Sequence, residues 1–283
     1  MENFTETVLS RLACEDGRTK EILTNLIVHL HEFVRDVEPT ETEWFKAIDF
    51  LTRTGQTCTH KRQEFILFSD VLGVSMLVDS INHKDEKNVT ESTVTGPFHT
   101  QAKTLRSGDN IANGPERERG EPTLVSGTVS DSSGNPVANA IVDVWQSDDI
   151  GYYDIQDVNQ PDMNLRGIFT TDDKGHFWFK TIKPAAYPVP TDGPVGELLR
   201  ASGRHAMRPA HIHFMISAEG HEQLITHLFV KGDRYLDSDA VFGVKDSLIL
   251  DFVPQHDEER AAQLGFKIPF YSVHYDFKLK KME

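Results

Sequence analysis

The chain has 283 residues, with 29 basic and 44 acidic side chains and a formal charge of −15 when histidine is counted neutral. So acidic a balance repels phosphate backbones and anionic lipid, and no local basic patch offsets it, so neither nucleic-acid nor membrane-surface binding is expected. Hydrophobic residues at 38% and charged residues at 26% exclude a disordered or collagen-like chain and allow a core of one or two domains.

Cys14 and Cys58 are the only cysteines, too few for a disulfide framework or a zinc-thiolate site and consistent with a reducing compartment. The opening MENFTETVLSRL carries acids where a signal peptide needs a basic start and an apolar core, and no segment approaches the roughly 18 apolar residues of a membrane span. A soluble cytoplasmic protein is the expectation.

The first hundred residues read as helices. In KEILTNLIVHLHEFVRDV, Ile22, Leu23, Leu26, Ile27, Leu30, Phe33, Val34 and Val37 recur at three- and four-residue spacing and lay one apolar stripe along a helix. Pro39-Thr40 interrupts, and Thr40 with Glu43 forms a capping box that starts a second helix near Glu41. RQEFILFSDVLGVSMLVDSI reads as a third, apolar on most sides and therefore buried, in this region or against another chain.

From about Gly96 the apolar residues alternate, and Gly and Pro become frequent. LVSGTVSD and NAIVDVWQ are two strands joined through SSGNP, and GIFTTDDKGHFWFKTI is a further pair joined at Asp-Asp-Lys-Gly. HIHFMISA, LITHLFVK, DSLILDFV and FYSVHYDFKLK continue in kind. The expected fold is mainly β: an antiparallel β-sandwich of about eight or more strands over about 121–283, behind a helical region. The domain division expected is a helical region over 1–100 and a β-sandwich catalytic domain over 101–283.

His211-Ile212-His213 is the sharpest local feature. On a strand, residues i and i+2 share a face, so both imidazoles can address one metal ion. His29 and His31 have the same spacing on a helix, where about 200° of rotation separates them and no shared ligand is expected. Tyr152-Tyr153 lies in the loop QSDDIGYYDIQ and Tyr187 in KPAAYPVP. Loop tyrosines usually pack or hydrogen-bond, but two phenolates with two neutral imidazoles suit a hard trivalent ion, Fe(III), better than Zn(II) or Cu(I).

The chain resembles the intradiol ring-cleavage dioxygenases, non-haem Fe(III) enzymes that open 1,2-dihydroxybenzenes between the hydroxyl groups. The resemblance runs through the helical region, Gly127-x-Val129-x-Asp131 with Gly134-x-Pro136, VDVW, Gly151-Tyr152-Tyr153, Tyr187-Pro188-Val189-Pro190 and GRHAMRPAHIHF at 203–214. It implies one iron per subunit held by Tyr153, Tyr187, His211 and His213, with Tyr152 as the alternative to Tyr153. It also implies that Tyr187 doubles as a base, and that Arg208 stabilises charge developing on the substrate unless it serves only a structural ion pair.

Within the family, FILFSDVLGVSMLVD at 65–79, GYYDIQ at 151–156 and THLFVKGDRYLDSDAVFGVK at 226–245 look most like the hydroxyquinol 1,2-dioxygenase group. That likeness implies hydroxyquinol (1,2,4-trihydroxybenzene) and O2 as substrates and 3-hydroxy-cis,cis-muconate or maleylacetate as product. It implies a ring pocket of Leu67, Asp70, Val94, Gly96, Pro97 and Val189, and His227 close to the metal where catechol enzymes carry glutamine. Asp70 would meet the 4-hydroxyl, or else cap an element or pair with Arg62 or Lys61. The family also implies a homodimer through the helical region, with a phospholipid between subunits. The competing expectations are a catechol or chlorocatechol 1,2-dioxygenase, a non-catalytic β-sandwich binding module, and a zinc or ferrous enzyme using His211, His213 and Asp233.

Overall fold

In the computed structural model, which describes residues 4–59, 62–84 and 87–282, the chain divides into two units, Met1–Gln56 and Thr57–Glu283. The first holds α1 (Phe4–Leu9), α2 (Gly17–Val37) and nearly all of α3 (Glu41–Thr57). Asp16 caps α2 by accepting from the Thr19 amide at 2.6 Å, and the expected box at Thr40 and Glu43 forms, with the Thr40 amide donating to Glu43 Oε2 at 2.8 Å. Most of the α2 stripe stays exposed, with Leu23 and Ile27 half-buried, and Trp44, Phe45 and Ile48 of α3 are exposed too. The helical histidines diverge: His29 faces Glu32, while His31 bonds Thr5 and stacks on Phe4.

The second unit opens with α4 (Glu64–Val71) and α5 (Val74–Asn82), not the single helix expected. Gly73 at φ 74 breaks it, because only glycine takes the left-handed region without penalty. Within this chain the segment is buried on one side only, and its other side presents apolar residues to solvent. Leu67 and Val71 pack against Val189, Val195, Leu199 and Val241, whereas Phe65, Ile66, Leu72, Val74, Leu77, Val78 and Ile81 are exposed.

After the short α6 (Glu116–Arg119) come β1 (Pro122–Asp131), β2 (Ile141–Gln146), β3 (Arg166–Thr170), β4 (His176–Ile182) and β5 (Tyr187–Pro188). Then follow α7 (Pro194–Ala201), β6 (Met207–Arg208), β7 (His211–Ser217), β8 (Leu224–Val230), β9 (Ile249–Leu250), β10 (Val253–Gln255), α8 (Glu258–Leu264) and β11 (Phe270–Leu279). One sheet has the order β10-β11-β1-β4, the other β3-β2-β7-β8-β9, and β5-β6 is a separate ribbon. The sandwich is there, mostly antiparallel, but β1 with β11 and β8 with β9 run parallel, since the chain returns to each through a long connection.

Neither early strand pair is a hairpin. Both turns, SSGNP and Asp-Asp-Lys-Gly, hand the chain from one sheet to the other. The core lies between the sheets: Val142 and Val144 of β2, Ile212, Phe214 and Ile216 of β7, and Leu224, Leu228 and Val230 of β8 meet Val125, Val129, Phe177, Phe179, Val273 and Phe277 of the other sheet. The strand period of two therefore turns Trp145, His211, His213 and His227 to the opposite face, where a second layer buries them. Among the described residues, no helix is long and apolar enough to cross a membrane.

Candidate metal centre

Strand register builds the site. Arg166, Trp145, His213 and His227 are direct cross-strand neighbours on β3, β2, β7 and β8, and so form one row on the outer face of the five-stranded sheet. His213 lies nearly parallel to the Trp145 indole, 4.6 Å between centroids and 12° between planes, which fixes the ring. His211 Nδ1 lies 2.6 Å from the Pro209 carbonyl. A carbonyl only accepts, so Nδ1 carries the proton and Nε2 presents its lone pair inward. The two Nε2 atoms of His211 and His213 stand 3.1 Å apart.

The tyrosines arrive from two loops. On the β5-β6 ribbon Tyr187 is the register partner of Arg208, which brings the phenol within 3.3 Å of His211 Nε2 and 3.4 Å of Arg208 Nη1. Arg208 also reaches His211 Nε2 at 3.2 Å, and its Nε and Nη2 form a fork on the Asp239 carboxylate at 3.1 and 3.2 Å. The Tyr153 loop is organised by Asp148, which accepts from the Ile150 and Tyr152 amides. Gly151 has φ 92, and a Cβ there would stand 2.8 Å from the Ala186 carbonyl and 3.1 Å from Tyr187 Cβ. Glycine is thus what lets the two tyrosine loops close on each other.

Tyr153 is buried, its ring 5.1 Å from Tyr187 edge to face and 4.6 Å from Phe98, whereas Tyr152 is exposed. Asp233 stands apart from these groups in its bonding: its carboxylate accepts from the Ala210 and Tyr235 amides and so organises a turn.

Electrostatics follow from dryness. Burial pushes His211, His213 and His227 well below the ordinary imidazole range, reinforced at His211 by Arg208 and at His213 by His227, so all three are neutral. Burial raises both phenols; Tyr187 adds to the effect at Tyr153, while Arg208 opposes it at Tyr187. Burial works against the Arg208 charge, but the Asp239 carboxylate and the phenols outweigh it and keep the guanidinium protonated.

Buried polar atoms without a partner test whether the residues fit a metal ion. Tyr153 Oη, His213 Nδ1 and His227 Nε2 have none, and each such atom costs about 1–3 kcal/mol if left so. His211, His213 and His227 also form the one metal-capable group of histidines, cysteines and acids found among the described residues. Tyr153 Oη and His227 Nε2, left without a partner, together with the closely set Tyr187 Oη, His211 Nε2 and His213 Nε2, fit a bound cation.

Beside this cluster lies a cavity of about 620 Å³ whose lining includes Asp70, Ser75, Thr93, Val94, Gly96 and Pro97. Gly96, at φ 71, brings its backbone against His213, and a Cβ there would stand 3.5 Å from the ring. Leu67 and Val189 lie behind, in the apolar cluster that Val94 joins. His227 is in the imidazole group, its Nδ1 2.6 Å from Thr93 Oγ1. Both Asp70 carboxylate oxygens are buried without a well-formed hydrogen bond, and burial holds the group above the usual carboxylate range, with the Ser75 hydroxyl and Arg208 pulling the other way. It neither caps an element through its side chain nor pairs with Arg62, which binds Glu64 and Asp192 instead. Lys61 lies outside the described residues.

The sequence reading missed Asp239, Thr93 and the Arg166–Asp154 pair. Asp239 sits within a stretch already singled out, yet only the fold sets it against Arg208.

A family model described as Dioxygenase matches residues 94–281, and one described as Catechol dioxygenase N terminus matches 16–90. The chain is 52% identical to a hydroxyquinol 1,2-dioxygenase of Rhizobium sp. over 99% of its length and 95% of that protein's. It is 53% identical to a 6-chlorohydroxyquinol 1,2-dioxygenase of Cupriavidus pinatubonensis over 90% of this chain and 92% of that one. The solved structure of a hydroxyquinol 1,2-dioxygenase from Pseudomonas putida DLL-E4 superposes with a TM-score of 0.87 at 48% identity, covering 100% of both chains. With half its residues shared along nearly the whole length and both family models matched in order, the chain belongs to the intradiol ring-cleavage dioxygenase family.

Proposed function

We propose that this chain cleaves hydroxyquinol with O2 between adjacent hydroxyl groups, giving 3-hydroxy-cis,cis-muconate and its tautomer maleylacetate, at one non-haem ferric ion per subunit. The convergence of two phenols and two inward-facing imidazoles in one dry pocket carries the proposal. Tyr153, Tyr187, His211 and His213 would hold the ion, since hard phenolate oxygens with neutral imidazoles match a trivalent cation. Bound ferric iron would supply Lewis acidity toward the diol and a redox partner for the reaction of the ring with O2.

This chain's own residues do the rest. The Pro209 carbonyl and the Trp145 ring fix His211 and His213 in place. Arg208, locked by Asp239, holds a cation against the Tyr187 oxygen, where it stabilises negative charge during proton transfer from the diol to Tyr187 Oη. Val94, Gly96 and Pro97 wall the ring pocket, with Leu67 and Val189 behind. Asp70 takes from the 4-hydroxyl the well-formed hydrogen bond it lacks in the protein, which sets hydroxyquinol apart from catechol and chlorocatechol.

One observation favours a second reading of the donor set. His227 completes a three-imidazole group that a divalent ion could use with both phenols protonated. The visible spectrum of iron-replete protein decides: a tyrosinate-to-iron charge-transfer band supports the ferric site, and a colourless iron-loaded sample refutes it. Under the second reading Tyr153→Phe and Tyr187→Phe leave metal content unchanged; under the first both lower it.

We further propose that 1–100 acts as a helical dimerisation region and 101–283 as the catalytic domain, in a cytoplasmic homodimer. The exposed apolar faces of α2 and α3 and, separately, that of α5 support contact with a partner, and a phospholipid bound between subunits is part of the reading. Sedimentation and mass spectrometry of solvent-extracted lipid test these two points.

A further inference from the structure

Tyr187 has a guanidinium–carboxylate pair beside its oxygen, in Arg208 and Asp239. Tyr153 has a second such pair behind its ring. Arg166 Cζ lies 5.9 Å from the Tyr153 centroid, and Nε and Nη2 both bond Asp154 Oδ1, at 2.8 and 2.5 Å. Asp154 is the residue next to Tyr153 in the chain, and its second oxygen accepts from the Met163 amide. Both side chains are out of water, at 1% and 5% exposure, and Arg166 Nη1 is buried with no partner.

A buried ion pair of this kind is weak evidence for stability, because desolvating two charges costs about as much as their attraction returns. We propose that Arg166, held by Asp154, is the positioning residue of Tyr153: it pins the tyrosine loop to the sheet and sets a fixed positive charge on the phenol side of the centre. Its field acts on the Tyr153 phenol and, across Trp145 in the cross-strand row, on His213 as well. Each tyrosine then has its own charge device, direct at the Tyr187 oxygen and through the ring at Tyr153.

This inference rests on the ferric two-tyrosine reading, and one spectrum separates the two: iron-loaded wild-type protein without a charge-transfer band sinks that reading before any variant is made. Given the band, promotion of an electron from the Tyr153 phenolate becomes easier when the neighbouring positive charge is removed. Arg166→Gln should therefore move the maximum to longer wavelength by roughly ten nanometres or more. Arg166→Lys keeps the charge and should stay near the wild-type position. Asp154→Asn leaves the charge uncompensated and should move the band to shorter wavelength. A purely structural pair would lower iron retention without moving the band of the iron that remains. Should Arg166→Gln fail to fold, the contrast between an unmoved band in Arg166→Lys and a shift to shorter wavelength in Asp154→Asn still decides. Iron-retaining variants whose bands all coincide with wild type, or all shift the same way, would overturn the proposal.

Discussion

Along β7, Ile212, Phe214 and Ile216 enter the apolar core between the sheets, while His211 and His213 end in a layer of phenols, guanidinium groups and imidazoles on the other face. Both faces are equally dry, yet only the outer one leaves buried polar atoms without partners. The contrast shows how one strand supports a site that is costly in itself: the inner face supplies hydrophobic stabilisation, and the outer face keeps donors unsatisfied until a ligand arrives.

The largest test of that division compares neighbouring residues. His211→Ala should abolish metal retention and lower turnover by more than the roughly 10–100-fold typical of losing an outer partner of a ligand, with the fold intact. Ile212→Ala should do the reverse, costing about 2–5 kcal/mol in denaturant unfolding while iron content per folded chain holds. If Ile212→Ala loses iron as readily as His211→Ala, the two faces are not separable.

Arg208→Leu should lower kcat by about 10²–10³-fold in steady-state kinetics through loss of stabilisation of the charge that develops on the diol as it gives its proton to Tyr187. It should also destabilise the fold by about 3–5 kcal/mol, since Asp239 is left buried and unpaired. A drop in stability with unchanged kcat would reduce Arg208 to a structural role.

Asp70→Asn should lower the ratio of kcat/KM for hydroxyquinol over catechol by about 10–100-fold. It also has a pH signature. Burial raises the Asp70 pKa in the folded state, so its contribution to stability is complete below the unfolded value near ~3.9 and is lost as pH rises through the folded value. Melting curves should therefore show Asp70→Asn gaining on wild type as pH rises from acid to neutral; a gap independent of pH would mean that Asp70 finds a partner. The smallest effect on fold and turnover is expected for Leu77→Lys with Ile81→Lys on the exposed face of α5, within about 0.5 kcal/mol each. Sedimentation should nonetheless show the double variant as a monomer, and an unchanged mass would remove α5 from the proposed interface.

Local periodicity made much of this legible in the sequence. Helical spacing placed α2, the capping box placed the start of α3, and alternation put His211 and His213 on one face. Long-range pairing was not legible. Asp239 approaches Arg208 across 31 residues, Thr93 approaches His227 across 134, and only sheet register aligns Arg166 with Trp145 and His213. The turns between β1 and β2 and between β3 and β4 carry hairpin residues, yet they cross between sheets, since both flanking strands bury one face in the shared core. Gly73 was readable as a glycine inside a helical pattern, but its left-handed conformation depends on α4 and α5 taking different directions.

Oxygen uptake by iron-replete protein with hydroxyquinol, catechol and a chlorocatechol, measured side by side, tests the central claim most directly. The account predicts one O2 consumed per hydroxyquinol, at a rate clearly above that with either diol. No uptake with any of the three, or a strong preference for catechol, would contradict it.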